Sequence, residues 1–230
     1  MTKRILHIVT NVGSYEGLDY PTGLWLGELT HAYDEFEKYN YIQDIVSPLG
    51  GNSPIEPKSL GRFMADQSVL KRKNDPDFMR LLENTKKPSD IHWQDYDAIY
   101  YTGGHGVMWD FLDNPELQEI TKNIYENRGV VSSVCHGYCG LLNVRLSNGE
   151  YLIKGKKLTG FAWCEEVLAG VAKKVPYNAE QLAKEHGASY DKKFIPFAPN
   201  VVKDGNLITG QNPFSARVTA EAIIKALEKK

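Results

Sequence analysis

The chain holds 230 residues, with 27 Lys and Arg against 29 Asp and Glu and a formal net charge of −2, so it lacks the basic excess that a nucleic-acid backbone demands. No run approaches the ~18 apolar residues of a membrane span, and the apolar stretch after Lys3-Arg4 is too short for a signal peptide. Three cysteines, an odd number without framework spacing, point to a reducing compartment, and a cytoplasmic protein with no nucleic-acid or membrane partner is expected.

The elements alternate. Ile5 to Thr10 reads as a short buried strand, followed by the polar loop "NVGSYEGLDYPTG". Leu24 to Tyr39 reads as a helix, because Leu24, Leu26, Leu29, Ala32, Tyr33 and Phe36 recur at helical spacing. "YIQDIVSP" is a second strand, stopped by proline. Residues 48–95 are less regular. There "DPDFMRLLENT" starts a helix with Asp75 as N-cap and Pro76 in its first turn, and Lys71-Arg72-Lys73 reads as a solvated basic face.

"YDAIYYTGGHG" is then a strand running into glycines. The next helix, "NPELQEITKNIYENRG", takes Asn114 as cap, Pro115 at its start and Gly129 as stop. "VVSSVC" is another strand, with a helix beginning in "GYCGLLNV". "EYLIKGKKLTG" reads as extended and "NAEQLAKEHG" as helical. "NVVKDGNLITG" is a hairpin turning at Asp204-Gly205, and the last helix begins at Asn212-Pro213. This order specifies an α/β fold: a doubly wound, mostly parallel sheet with helices on both faces. One domain, 1–230, is expected, with a small inserted subregion around 48–95.

Functional groups in such sheets gather at the carboxyl ends of the strands, and three motifs fall there: the polar loop after the first strand, "TGGHG" after a middle strand and "CHG" after another. Taken alone, Cys135 is a small buried hydrophobe. Its neighbours say otherwise, because a sharp strand-to-helix turn needs small residues two before and two after a nucleophile, and Ser133 and Gly137 are small. A helix N-terminus at that point would favour thiolate. Cys139 and Cys164 lack this setting and read as packing residues.

In "TGGHG", the residues around His105 form either a plain tight turn or a place where backbone N–H groups reach a substrate oxygen. Gly104 would supply one such donor and His136 the other. Glu28 sits either on a solvated helix edge or on the apolar face. If buried, it stays protonated and can hydrogen-bond the sulfur of Cys135.

Together, Glu28, Gly104-His105-Gly106, "VCHG" at 134–137, "LTGF" at 158–161 and "TGQNPFSA" at 209–216 resemble the ThiJ/PfpI family of the class I glutamine-amidotransferase-like superfamily. More narrowly they resemble its heat-shock-induced branch with glyoxalase III activity. The likeness runs nearly end to end and includes "YENRGVVSSVCHG" and the stretch near 58–85.

The resemblance implies a flavodoxin-like sandwich, often a homodimer, with a Cys-His-acid site. The acid follows "TGF" and matches Glu166, with Glu165 adjacent and not separated from it by the pattern. Tyr138-Cys139 and Trp163 depart from the branch's usual residues and are expected to reshape the pocket mouth.

The implied activity is cofactor-free conversion of a small reactive carbonyl, methylglyoxal, to lactate, with deglycation of early adducts as related chemistry. The Cys135 thiolate adds to the aldehyde. His136, oriented by Glu166, moves a proton between the two former carbonyl carbons, and water opens the thioester-like product. No spacing of zinc or iron ligands is present, so neither metal nor cofactor is expected.

Two rivals remain. One is an amidase or peptidase using the same thiol, although a glutaminase would place its histidine late in the chain, where "QNPFSAR" has none. The other is a stress-responsive chaperone or peroxide sensor.

Overall fold

The computed structural model describes residues 2–229. The first half runs β1 (Arg4–Ile8), α1 (Leu26–Glu37), β2 (Ile42–Val46), α2 (Gln67–Lys73), α3 (Pro76–Glu83), β3 (Ala98–Tyr101), α4 (Val107–Asp110) and α5 (Pro115–Glu126). The second half runs β4 (Val130–Val134), α6 (Cys139–Leu142), β5 (Lys157–Leu158), α7 (Trp163–Leu168), α8 (Ala179–Glu185), β6 (Ser189–Tyr190), β7 (Val201–Asp204), β8 (Leu207–Gly210) and α9 (Ala216–Leu227).

Six strands form one sheet in the order β2-β1-β3-β4-β8-β7, and β5 pairs with β6 in a separate two-stranded sheet. All neighbours in the large sheet are parallel except β7 and β8. The central strands β3, β4 and β8 are buried along their whole length, while the edge strands β2 and β7 are partly exposed. That burial on both faces is why "VVSSV" and "AIYY" carry no polar alternation.

One face of the sheet is covered by α5 and α6 around Leu117, Ile120, Ile124, Leu141 and Leu142. The other is covered by α1 and α9 through Ala32, Phe36, Ala220, Ile223 and Ile224. Phe36, Leu29 and Leu26 on α1 are fully buried, each contributing about 1.5–3 kcal/mol of apolar transfer energy.

The inserted stretch is more ordered than its composition predicts. Asp66 caps α2 by accepting from the Val69 N–H, and Val69 packs in a cluster with Leu24, Leu29, Phe78 and Leu82. Of the expected basic face, Lys71 and Lys73 are exposed, and Arg72 is the correction. Arg72 is buried, bonded to Asp34 at 2.8 Å and Glu37 at 2.5 Å, and it lies over the Tyr33 and Phe78 rings.

Asp75 and Asn114 cap α3 and α5 as expected. Several boundaries shift, among them the last helix, which starts at Ala216 after a 3-10 turn over Pro213–Ser215. Arg128, not Gly129, takes the left-handed conformation after α5. The register Asp204↔Leu207 puts Gly205-Asn206 in the β7–β8 turn. In "EYLIKGKKLTG", only Lys157–Leu158 is a strand, the residues before it forming turns. No helix among the described residues is long and apolar enough to cross a membrane.

Candidate active site

The carboxyl ends of β3 and β4 bring the expected motifs together. β4 ends at Val134, and the chain turns at once into a 3-10 turn over Cys135–Tyr138 that leads into α6. Cys135 holds φ at 55°, a left-handed conformation that costs a non-glycine residue energy and marks a constrained position. Gly137 permits the turn, because a Cβ there would lie 2.1 Å from the Tyr101 carbonyl oxygen.

The sulfur has an imidazole beside it and an acid behind that. Cys135 Sγ is 3.3 Å from His136 Nδ1, and His136 Nε2 is 2.5 Å from Glu166 Oε1. The other carboxylate oxygen, Glu166 Oε2, is 3.0 Å from His105 Nε2. An ionised carboxylate only accepts, so both Nε2 atoms carry hydrogen, and neutral His136 keeps a bare Nδ1 facing the thiol.

Burial alone would raise the pKa of Glu166, but the two imidazoles, His136 foremost, outweigh it and hold the carboxyl well below its usual range. His105 is lowered by burial and by His136, against the pull of Glu166.

Glu165, the adjacent acid, faces elsewhere. It accepts from the Ala162 and Phe197 N–H groups and from the side-chain amides of Gln211 and Asn212, so it ties three loops together. Both acids are buried rather than exposed at a helix start.

Glu28 lies on the buried face of α1 and is fully inaccessible. Its Oε2 accepts from the Gly103 N–H at 2.8 Å. Burial raises its pKa to about 8, opposed by its interactions with Cys135 and Gly103, so it is mostly neutral at physiological pH. Its Oε1 has no hydrogen-bond partner, which leaves a protonated oxygen free to serve the neighbouring sulfur.

The expectation of a helix-favoured thiolate is corrected. Burial pushes the Cys135 thiol up, an ionised Glu28 would push it further, and only the His136 N–H opposes them. Four residues of α6 make too short a dipole to overcome desolvation. Burial therefore works against a resting thiolate, and His136 Nδ1 lies 3.3 Å from the sulfur, in place to take its proton.

Gly104 has φ at 109° and a Cβ there would meet Gly23 O at 2.1 Å, so only glycine fits where this turn packs against the loop before α1. No backbone acceptor takes the Gly104 N–H among the described residues. Gly104, His105, Cys135 and His136 all border one cavity of about 220 Å³. Cys135 is thus 2% exposed yet faces open space.

The remaining wall was not anticipated. It includes Trp25, Met64, Phe161, Phe197 and Phe214, with Lys58 at the rim. "LTGF" and "TGQNPFSA" contained Phe161 and Phe214, but nothing in the pattern said that they face the cysteine.

Two expectations about the mouth fail. Tyr138 is fully buried and points its hydroxyl to the Phe161 carbonyl, while Trp163 and Cys164 line a different surface groove. Cys139 packs in the core, as expected of a packing residue and not at the mouth, while Cys164, also expected to pack, is only half-buried on that groove.

His105, His136 and Glu166 could each offer a ligand atom to a metal, all within 4.8 Å of one another. As placed, these atoms are already engaged in N–H to carboxylate bonds, so an ion would have to displace the protons that make His136 a base.

Residues 24–226 match the family model described as the DJ-1/PfpI family. The chain is 34% identical to the Saccharomyces cerevisiae glutathione-independent glyoxalase HSP31, spanning 98% of both proteins, and 33% identical to Glyoxalase 3 of Candida albicans, spanning 99% of both.

Among solved structures, a Francisella tularensis Rapid Encystment Protein 24 kDa superposes with a TM-score of 0.94 at 36% identity, over 98% of this chain and 99% of that one. The Candida albicans glyoxalase III superposes at 0.90 and 32% identity, over 97% of each. A matched model across most of the chain, together with relatives of this identity over nearly full length, settles the affiliation: the chain belongs to the DJ-1/PfpI family.

Proposed function

We propose that this protein is a glutathione-independent glyoxalase that converts methylglyoxal to lactate through a hemithioacetal on Cys135. The observation that carries this reading is the line Cys135 Sγ, His136 Nδ1, His136 Nε2, Glu166 Oε1, with spacings of 3.3 and 2.5 Å, whose sulfur and imidazole border a cavity of about 220 Å³. It has the same form as a nucleophile, a base and an orienting acid.

His136 Nδ1 takes the thiol proton, and the sulfur attacks the aldehyde carbon to form the C–S bond. The Gly104 and His136 N–H groups are the donors for the resulting oxyanion, which collects a proton to complete the hemithioacetal. His136 then removes the hydrogen on the former aldehyde carbon, leaving an enediolate, and returns a proton to the former ketone carbon. The product is a lactoyl thioester on Cys135, and water cleaves the C–S bond to give lactate and free thiol. The sum is dicarbonyl plus water, without oxidant or reductant, and the enzyme's own sulfur replaces glutathione.

Neutral Glu28 supports the sulfur without adding a second negative charge beside it. His105 holds the far oxygen of Glu166 and so positions the acid behind His136. Deglycation of early adducts would use the same thiol on the same carbonyl chemistry. A single domain over 1–230, a cytoplasmic setting and homodimeric assembly complete the proposal.

A peptidase fits less well, because Cys135 lies at the floor of a cavity of about 220 Å³, too small for an extended chain. The test is incubation of the pure protein with methylglyoxal, without glutathione, and enzymatic detection of lactate. Lactate is expected, and dicarbonyl left unconsumed by protein with a titratable thiol would overturn the reading.

A further inference from the structure

The cavity over Cys135 is larger and greasier than methylglyoxal requires. Its volume is about 220 Å³, whereas methylglyoxal has only five non-hydrogen atoms. The buried polar side chains of its lining are Cys135, His136 and His105, and exposed Lys58 lies at the rim. Above them the wall is formed by Trp25, Met64, Phe161, Phe197, Pro213 and Phe214.

Five segments distant in sequence supply those six side chains: the turn before α1, the inserted stretch, the "LTGF" segment, the loop before β7 and the entrance to α9. The rings of Phe161 and Phe197 stand 6.1 Å apart with their planes at 54°, and Phe161 lies 4.5 Å from the His136 ring. At the mouth Phe214 is 49% exposed and Met64 37% exposed. Apolar side chains left in water around a concave site carry a cost that a bound apolar group would remove.

We infer that the site is built for 2-oxoaldehydes R–CO–CHO in which R is an aromatic or comparably bulky apolar group. This rests on the glyoxalase reading above and adds the identity of R. The reacting dicarbonyl occupies the polar floor, and R fills the space between Trp25, Phe161, Phe197 and Phe214. Lys58 is the one formally charged side chain on the lining, placed with its Nζ 5.1 Å from the Tyr20 ring centre. It disfavours a cationic R.

The chemistry balances as for methylglyoxal. Sulfur adds to the aldehyde carbon, hydrogen moves from that carbon to its neighbour, and water cleaves the thioester to an R-substituted 2-hydroxy acid. Contact with R is remote from the reacting carbons, so its binding energy raises kcat/KM chiefly by lowering KM.

The test compares phenylglyoxal with methylglyoxal, following mandelate and lactate respectively, in the wild type and in Phe214→Ala. The wild type is expected to favour phenylglyoxal at least tenfold in kcat/KM through a lower KM. Phe214→Ala should cut the phenylglyoxal to methylglyoxal ratio by about fivefold or more. Lactate formation with no preference for phenylglyoxal, or a ratio unmoved in the variant, overturns this inference and leaves the glyoxalase reading standing. Absence of both hydroxy acids sinks that reading and the inference with it.

Discussion

Replacing Glu28 by glutamine isolates the one carboxyl placed beside the sulfur. In the open chain a glutamate titrates at 4.5, and buried on α1 Glu28 does so at about 8. A raised acid favours the fold while it keeps its proton, so its contribution is complete below 4.5 and is lost as pH rises through about 8. The slope is about 1.4 kcal/mol per pH unit for one whole proton, or on the order of 3 kcal/mol between pH 5 and pH 7.5.

Glutamine has no proton to lose and can still accept from the Gly103 N–H. Urea denaturation of both proteins across that range, with the same buffers and slopes, reads the difference directly. The wild type should lose stability relative to Glu28→Gln as pH rises, because every other titrating group is shared. Parallel profiles would mean that Glu28 ionises in the fold as it does in water, and the neutral donor beside Cys135 would not exist.

Other outcomes follow from the same geometry. Glu166→Gln removes the charge that holds the His136 tautomer and should lower kcat by about 10²–10⁴ with a smaller change in KM, measured by lactate formation. Glu165→Gln should instead lower thermal stability, since that carboxylate holds the Ala162 and Phe197 N–H groups, and equal kinetic loss in both variants would contradict the assignment of the acid. Gly137→Ala forces a Cβ toward the Tyr101 carbonyl and should cost about 3 kcal/mol, or on the order of 10 °C in Tm; a wild-type melting curve refutes the close approach. Mass mapping after iodoacetamide treatment should find Cys135, which lines the cavity, and half-buried Cys164 modified, and Cys139, packed in the core, untouched.

The sheet was legible because its middle strands are buried on both faces and read as uninterrupted apolar runs. Helix α2 was not, since "QSVLKRK" offers no apolar stripe. It is held by the Asp66 cap, by Val69 and by the buried pairing of Arg72 with Asp34 and Glu37, partners that only the fold supplies. Within the site, Cys135, His136 and the glycines near His105 announced themselves at strand ends. Glu165 and Glu166 could not be told apart, because adjacent helical residues point ~100° away from each other. The aromatic wall comes from segments far apart in the chain, each with an ordinary local pattern, so no periodicity reveals it.

The claim on which the mechanism turns is that the Cys135 sulfur carries the substrate. Lactate production by Cys135→Ser, with circular dichroism confirming an intact fold, tests it most directly. Activity should fall by about a thousandfold or more, to the level of the solution reaction. A variant that makes lactate at the wild-type rate would show that the sulfur takes no part.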